Sequence, residues 1–197
     1  LEYTKAIPIP RSELEALLAF GVRIAEQAGA ATLPFFRAEV AVENKRDDGR
    51  FDPVTEADRA AERIFRDALR AEFPAHGVFG EEFGHEPGNG LTWVIDPIDG
   101  TRAFMTGMLH WGLLLALFDG EKPVLGVMHQ PFTGETFYGD GESAWYRRGQ
   151  GGAARRMRTR RDVALDDAML TTTSPGLFRG HGERAAFDRL EGRVRLS

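Results

Sequence analysis

The segment from Asp96 to Thr101 contains residue types whose order could bind a hard cation. An apolar, strand-like stretch precedes it and would deliver Asp96 at its end, while Pro97 imposes a rigid turn and contributes no N–H. That turn can bring Asp96 and Asp99 to the same side, with the Ile98 carbonyl between them. Carboxylates and a backbone carbonyl form a hard oxygen-ligand set, which suits Mg²⁺ or Ca²⁺ better than Zn²⁺ or copper.

Gly100 and Thr101 could add an anion site to this segment. They open a new stretch of chain, where free backbone N–H groups could hold a phosphate. The simpler alternative is an Asp-Pro turn followed by an Asp-Gly turn, which is common in surface loops. Acidic residues elsewhere in the chain favour the site over the plain turn.

A second acidic strand end lies upstream, at residues 80–82 (Gly-Glu-Glu), directly after the apolar pair at residues 78–79. Paired acids at a strand end are usually just solvated, and taken alone that explanation suffices. Beside the strand end at Asp96, however, Glu81 becomes a candidate metal ligand shared by both segments.

Asp58 is the third acidic candidate, and it also has a local role. Thr55 and Asp58 are spaced as a capping box, so the Asp58 carboxylate would cap the backbone of a helix and suit the helix dipole. A carboxylate in that position can still accept a proton from water. A pair formed with Thr101 would orient and deprotonate an attacking water.

These acidic positions together fit the hydrolysis of a phosphate monoester. This reaction is among the slowest uncatalysed reactions, calling for accelerations of up to ~10²¹-fold. Metal ions held ~3.5–4 Å apart lower the pKa of a bound water and neutralise the leaving oxygen. In this hypothesis Asp96 bridges two metals. Glu81 and the Ile98 carbonyl complete one metal site, and Asp99 belongs to the other.

Hydrophobic periodicity predicts two helices ahead of the strands that carry these acids. Ser12 with Glu15 predicts a capping box and a first helix that ends between residues 29 and 34. The capping box at Thr55 predicts a second helix that ends near residues 73–74. Short apolar runs then predict strands at residues 78–79, 92–95, 113–118, 124–129 and 135–138. Helices followed by a meander of strands indicate an α+β layered domain and not alternating βαβ units.

The pattern of short apolar strands ends near Ser143, and the sequence becomes richer in glycine and arginine. We expect an N-terminal α+β domain that binds metal and phosphate over residues 1–142. Residues 143–197 are expected to form the start of a C-terminal α/β domain that is incomplete. Within this second segment, residues 169–173 predict a strand and residues 184–190 a short helix.

Composition excludes several classes of protein. The absence of cysteine rules out disulfides, cysteine-based zinc sites and thiol nucleophiles. A net charge of −5 argues against nucleic-acid binding, and no apolar run is long enough to span a bilayer. We expect a soluble, cytoplasmic protein that acts on a small phosphorylated substrate, without nucleic-acid or membrane partners.

The acidic motifs resemble, in order and spacing, those of the inositol monophosphatase family of Mg²⁺-dependent, lithium-sensitive phosphatases. The matching segments are residues 55–58, residues 80–82 and Trp93 through Thr101. The resemblance covers the chain from about Ser12 onward. It implies a layered α/β sandwich of the sugar-phosphatase type, with two N-terminal helices packed on a largely antiparallel sheet. It also implies two or three Mg²⁺ ions, inhibition by lithium and assembly as a homodimer.

The resemblance further implies a role for each residue of these motifs. The expected metal ligands are Glu81, Asp96, Asp99 and, through its carbonyl, Ile98. The residues expected to activate water are Asp58 and Thr101. The residues expected to bind the substrate and its phosphate are Glu81, Ile98, Asp99, Gly100, Thr101 and Arg102. Lys45 lies in what resembles the mobile metal loop of the family.

Several segments resemble the histidinol-phosphatase branch of the family more than its inositol-type enzymes. They are residues 102–104, Trp111-Gly112, residues 130–135 and residues 172–175. A core aromatic, a tight turn and a loop would explain the last three as simply. Histidinol phosphate is therefore the expected substrate, and inositol monophosphate or another small sugar or polyol phosphate is the alternative. A metal-binding but inactive module is the alternative of a different class.

The family pattern also has a later Trp-Asp motif, whose Asp completes the second metal site. No Trp-Asp pair occurs in the 197 residues. We expect either a fragment of a longer protein or a naturally truncated member. In a truncated member the second metal would be weakly held.

Overall fold

A computed structural model describes residues 6–39, 42–44 and 53–197, with side chains described over 6–39 and 55–197. The chain divides into two compact units, Leu1–Met157 and Arg158–Ser197. The larger unit contains the acidic motifs, and Lys45 lies outside the described residues.

The described part of the larger unit contains three α-helices. They are α1 (Arg11–Ala30), α2 (Glu56–Glu72) and the short α3 (Thr101–Met105). Along the described ranges of the whole chain, no helix combines the length and the apolar character needed to cross a membrane.

The starts of the two long helices follow different local rules. The capping box predicted at Ser12 is wrong, because α1 begins at Arg11 with Pro10 as its N-cap and no side-chain cap. The Glu15 carboxylate instead accepts a hydrogen bond from Arg11 Nε at 2.9 Å. The box predicted at Thr55 is confirmed, and its details belong to the site below.

The described strands form one pair and one large sheet. The pair is β1 (Val42–Asn44) with β2 (Pro53–Thr55). The sheet contains β3 (Gly77–Gly80), β4 (Gly84–Glu86), β5 (Thr92–Asp99), β6 (Gly112–Phe118), β7 (Pro123–Gln130), β8 (Glu135–Gly139), β9 (Ala144–Arg148) and β10 (Arg155–Met157). Its order is β10-β9-β8-β7-β6-β5-β3-β4, and of the described pairings in it only β3 with β5 is parallel. The largely antiparallel sheet that the sequence predicts is confirmed.

The core lies between the sheet and the two long helices. α1 packs on α2 and on β6, β7 and β8, and α2 packs on β5. At its centre Trp93 is fully buried, with its ring 5.3 Å from that of Phe20 and 6.0 Å from that of Phe65. The predicted packing of two N-terminal helices on a sheet is therefore confirmed.

The first unit extends beyond residue 142, where the sequence texture changes. β9 pairs with β8 in an antiparallel register that places Trp145 opposite Tyr138, and their rings stack at 5.7 Å. β10 then pairs with β9, so the sheet continues as far as Met157. The compact unit accordingly ends between Met157 and Arg158 and not near Ser143.

The second unit contains one described α-helix, α4 (His181–Glu191). The helix predicted over residues 184–190 is confirmed, and Glu183 lengthens it by accepting a hydrogen bond from the Gly180 N–H at 3.1 Å. The strand predicted over residues 169–173 is wrong, since only Met169 forms a β-bridge, with Leu196. The residues that follow lead directly into a 3₁₀ turn at Pro175–Leu177, which ends any extended run.

Candidate metal and phosphate site

Asp96 and Asp99 lie at the end of β5, where its pairing with β6 is irregular. The register shifts between these two residues. Pro97 has no N–H to donate to the ladder, and the buried Pro97 and Ile98 occupy the irregular step. The strand continues to Asp99, so the rigid turn predicted at Pro97 is wrong: the chain bulges within the strand instead of reversing.

β3 brings Glu81 to this strand end. Because β3 and β5 run parallel, with Gly80 opposite Ile95, they present Glu81 and Asp96 at the same edge of the sheet. The two side chains share a hydrogen bond. Glu81 is exposed, whereas Asp96 is half-buried. The structure therefore brings together the two acidic strand ends that the sequence singles out.

Asp96 is held in an unfavourable environment for a charged carboxylate. Burial, the charge and hydrogen bond of Glu81 and the charge of Asp99 raise the pKa of Asp96 to about 7, although the N–H of Ile98 acts to lower it. Its Oδ1 atom is buried without a hydrogen-bond partner. A half-buried carboxyl that faces two others and has an unsatisfied oxygen is a place where a cation would relieve repulsion.

The residues present fit a hard divalent cation. Three carboxyl groups and the Ile98 carbonyl are oxygen donors of the kind that Mg²⁺ prefers. Over the described ranges, no three His, Asp or Glu side chains are already grouped closely enough to hold a metal. Because the pKa of Asp96 is raised to about 7, cation binding would be accompanied by loss of a proton from this carboxyl.

Gly100 and Thr101 follow directly and turn the chain into α3. Gly100 is the N-cap of that helix and has a φ of 88°, in the left-handed region. The Thr101 hydroxyl donates a hydrogen bond to the Ile98 carbonyl at 3.0 Å. The hydroxyl thus fixes the orientation of a carbonyl that the sequence predicts to be a metal ligand.

A side chain at position 100 would be costly for two separate reasons. A Cβ there would lie 2.4 Å from the backbone oxygen of His110, in addition to the strain of a positive φ. We expect Gly100→Ala to lower the free energy of unfolding by about 3 kcal/mol, measured by urea denaturation. Gly149→Ala is the matched control, since its φ is 74° with no atom within 4 Å, and about 1–2 kcal/mol is expected there. Equal losses in both variants would contradict the close contact.

Asp58 sits at the start of α2, where it is nearly fully buried. Its Oδ2 accepts hydrogen bonds from the Thr55 backbone N–H at 2.8 Å and from the Thr55 hydroxyl at 2.6 Å. The neighbouring Ala57 packs in one apolar cluster with Ile98 and Phe104, which places the start of α2 against the Asp96–Thr101 segment. The pairing of Asp58 with Thr101 stays a prediction.

An aromatic cluster packs against the Asp96–Thr101 segment. The Trp111 ring lies 4.8 Å from Phe104 at 90° and 5.2 Å from Phe36. Ile98 is buried in the same cluster, so these rings hold the bulged end of β5 and the start of α3 together. The sequence offered Trp111 as a marker of the histidinol-phosphatase branch or as a core aromatic residue, and its buried position in this cluster agrees with the second explanation. Arg102, on α3, is exposed.

Most of the chain matches a known protein family. The sequence model of the inositol monophosphatase family covers residues 13–197. The chain belongs to the inositol monophosphatase family. The resemblance inferred from the acidic motifs is therefore confirmed. This family member also has the two N-terminal helices and the sheet that the resemblance implies.

Relatives of this inositol monophosphatase family member carry more than one name. A histidinol-phosphatase of Chlorobaculum parvum is 44% identical over 67% of this chain and 51% of its own length. The chloroplastic bifunctional phosphatase IMPL2 of Arabidopsis thaliana is 34% identical over 94% of this chain and 52% of its own. Among solved structures, an inositol monophosphatase from Zymomonas mobilis is 39% identical with a TM-score of 0.75, over 94% of this chain and 70% of that one. The chain spans about half the length of the first two relatives.

Two buried charged residues on α2 were not identified from the sequence. Glu62 and Arg66 are both buried on this helix, which has an otherwise largely apolar buried face. Their spacing of four residues is the signal that could have identified them, because ionisable residues at i and i+4 lie on one helix face. Phe65 and Leu69 are buried on the same helix, while Ile64 is 36% exposed.

Proposed function

We propose that this chain carries the metal- and phosphate-binding part of a Mg²⁺-dependent phosphate-monoester hydrolase. The observation that carries the proposal is the state of Asp96, a half-buried carboxyl with one unsatisfied oxygen that the charges of Glu81 and Asp99 repel. Family membership supports it, since the relatives named above are phosphatases. Glu81, Asp96, Asp99 and the Ile98 carbonyl hold the cation in this proposal.

The remaining residues position the phosphate and the attacking water. Bound cations supply a water of lowered pKa and offset charge on the leaving oxygen. The backbone of Gly100 and Thr101, together with the nearby Arg102, binds the phosphate oxygens. Asp58, buried beside this segment, accepts the proton of the attacking water, and the Thr101 hydroxyl helps to orient that water.

We propose histidinol phosphate as the substrate. Similarity to histidinol-phosphatases supports this choice, at 44% identity for the Chlorobaculum parvum enzyme and 40% for that of Streptomyces coelicolor. An inositol-1-monophosphatase of Caulobacter vibrioides is 37% identical, which keeps inositol monophosphate as the second candidate. The homodimer, the lithium sensitivity and the cytoplasmic location implied by the sequence stay predictions.

Phosphate release from a substrate panel tests both levels of the proposal. We expect the complete gene product to hydrolyse histidinol phosphate only with Mg²⁺ present, to lose activity in a chelator and to regain it when Mg²⁺ is restored. The expected kcat/KM for histidinol phosphate exceeds that for inositol 1-phosphate by about tenfold or more, a difference of about 1.4 kcal/mol in transition-state binding.

The outcomes separate the alternatives. Faster hydrolysis of inositol 1-phosphate would overturn the substrate and leave the reaction intact. Mg²⁺ binding without release of phosphate from any substrate would overturn the enzyme and favour an inactive metal-binding module.

A further inference from the structure

We propose that Glu62 is a positioning residue that holds Glu81 in place for the divalent cation. Glu62 would set the affinity of the site for metal without touching metal or substrate. The inference rests on the proposed function in one respect, because it takes Glu81 to be a metal ligand.

The Glu62 carboxylate is bound to the backbone that directly follows Glu81. It is fully buried on α2. Its Oε2 accepts a hydrogen bond from the Glu82 N–H at 2.8 Å, and its Oε1 accepts one from the Phe83 N–H at 3.2 Å. Charged acceptors make stronger hydrogen bonds to backbone N–H groups than neutral ones do. The turn after Glu81 is therefore fastened to a helix and not merely solvated.

Glu62 also approaches the backbone that directly precedes Glu81. A Cβ placed on Gly80 would lie 1.8 Å from Glu62 Oε1. Only glycine leaves room for the carboxylate against the end of β3. A single buried side chain thus lies close to the backbone before Glu81 and accepts hydrogen bonds from the backbone after it, while the Glu81 side chain itself is exposed.

Arg66 extends this support to the next strand. Its Nε donates to Glu62 Oε1 at 2.8 Å, and its side chain is 4% exposed. Its two terminal nitrogens donate to the Gly84 carbonyl at 2.6 Å and to Glu86 at 2.8 Å. α2 therefore fixes the whole β3–β4 turn through one buried ion pair.

Fold stability alone explains this arrangement poorly. Burying two charges costs desolvation free energy, and replacing a buried ion pair by apolar residues of similar size is often neutral or stabilising. Residues that orient metal ligands, in contrast, typically change metal affinity or activity 10–100-fold when they are replaced. Glu62, which is bonded to the backbone next to Glu81, fits the role of a residue that orients a metal ligand.

The first test is Glu62→Gln, followed by Mg²⁺ titration calorimetry and by hydrogen exchange of the Glu82 and Phe83 amides. Gln presents one oxygen and one NH₂ group, so an N–H donor of the turn loses its acceptor. We expect the Kd for Mg²⁺ to rise about 10–100-fold and both amides to exchange faster. Glu72→Gln is the matched control, because Glu72 is on the same helix as Glu62 but forms an exposed ion pair with Arg23 of α1, so the Kd should be unchanged.

A double variant removes the danger that an unpaired buried charge unfolds the protein. Glu62→Leu combined with Arg66→Met leaves no isolated charge, so we expect a folded protein with a melting temperature near the native value. Its Kd for Mg²⁺ should rise at least as much as in Glu62→Gln, because Gln keeps one of the two acceptor oxygens and Leu keeps neither.

Native Mg²⁺ affinity in the folded double variant would overturn the inference, as would a native chain that binds no Mg²⁺. Neither the Kd for Mg²⁺ nor the amide exchange rate depends on hydrolysis of a substrate. A chain that binds Mg²⁺ in a Glu62-dependent manner but releases no phosphate would overturn the enzyme and sustain the positioning role.

Discussion

Replacing Asp96 by Asn is expected to reduce kcat/KM for phosphate release by at least about 10³-fold, equivalent to about 4 kcal/mol of transition-state stabilisation. Asn keeps the size of the side chain and loses the charge that would hold a cation between Glu81 and Asp99. The same change removes a half-buried carboxyl that faces two others. We therefore expect the metal-free variant to be at least as stable to urea as the native chain.

This combination of lost activity and retained stability separates a site residue from a structural one. Asp67→Asn is the control, since the Asp67 side chain on α2 is 78% exposed and its contact with Arg70 is a long 3.4 Å. It should change neither quantity measurably. If Asp96→Asn kept more than one-tenth of the native kcat/KM at saturating Mg²⁺, Asp96 would not be a ligand of the proposed cation site.

Trp93→Ala is expected to produce the largest loss of stability, about 3–5 kcal/mol by urea unfolding at 25 °C. The Trp93 side chain is fully buried, packs edge-on to Phe20 and donates its indole N–H to His76 Nδ1 at 3.2 Å. Removing it leaves a cavity between α1, α2 and β5 and an unused acceptor on His76. A domain with a typical stability of about 5–15 kcal/mol would lose a large share of it.

Trp145→Ala measures how much the same substitution lowers the free energy of unfolding near the edge of the core. Trp145 is partly buried and stacks on Tyr138 at 5.7 Å, so about 1–2 kcal/mol is expected. If Trp93→Ala lowered the free energy of unfolding no more than Trp145→Ala, the packing of the helices on Trp93 described above would be wrong.

Features encoded by neighbouring residues could be predicted from the sequence. The capping box of Thr55 and Asp58 depends on four consecutive residues, and the central strands are continuous apolar runs. The capping box at Ser12 failed because a nearby Arg11 takes the Glu15 carboxylate. Local pattern alone does not decide between two possible partners for one side chain.

Features that depend on distant partners were missed. β4 is short and polar, and it is held by Arg66 from α2, which no periodicity in residues 84–86 could indicate. Burial of Glu62 likewise depends on the backbone of the β3–β4 turn, twenty residues away along the chain. At the site, the acidic residues were recognisable by type and order, whereas the bulge at Pro97 follows from the pairing of β5 with β6.

The parallel pairing of β3 with β5 has a consequence for the order of folding. Glu81, Asp96 and Asp99 come from one short stretch of chain that doubles back on itself through β4, so few residues need to be ordered before these carboxylates meet. Closing a loop of this kind takes about 10–100 ns for ten residues, far less than the assembly of a whole sheet. We therefore expect the chain closure that brings these carboxylates near one another to be fast and the parallel pairing of β3 with β5 to be the slower step. Desolvation of Asp96 is expected to follow when β6 pairs with the other side of β5.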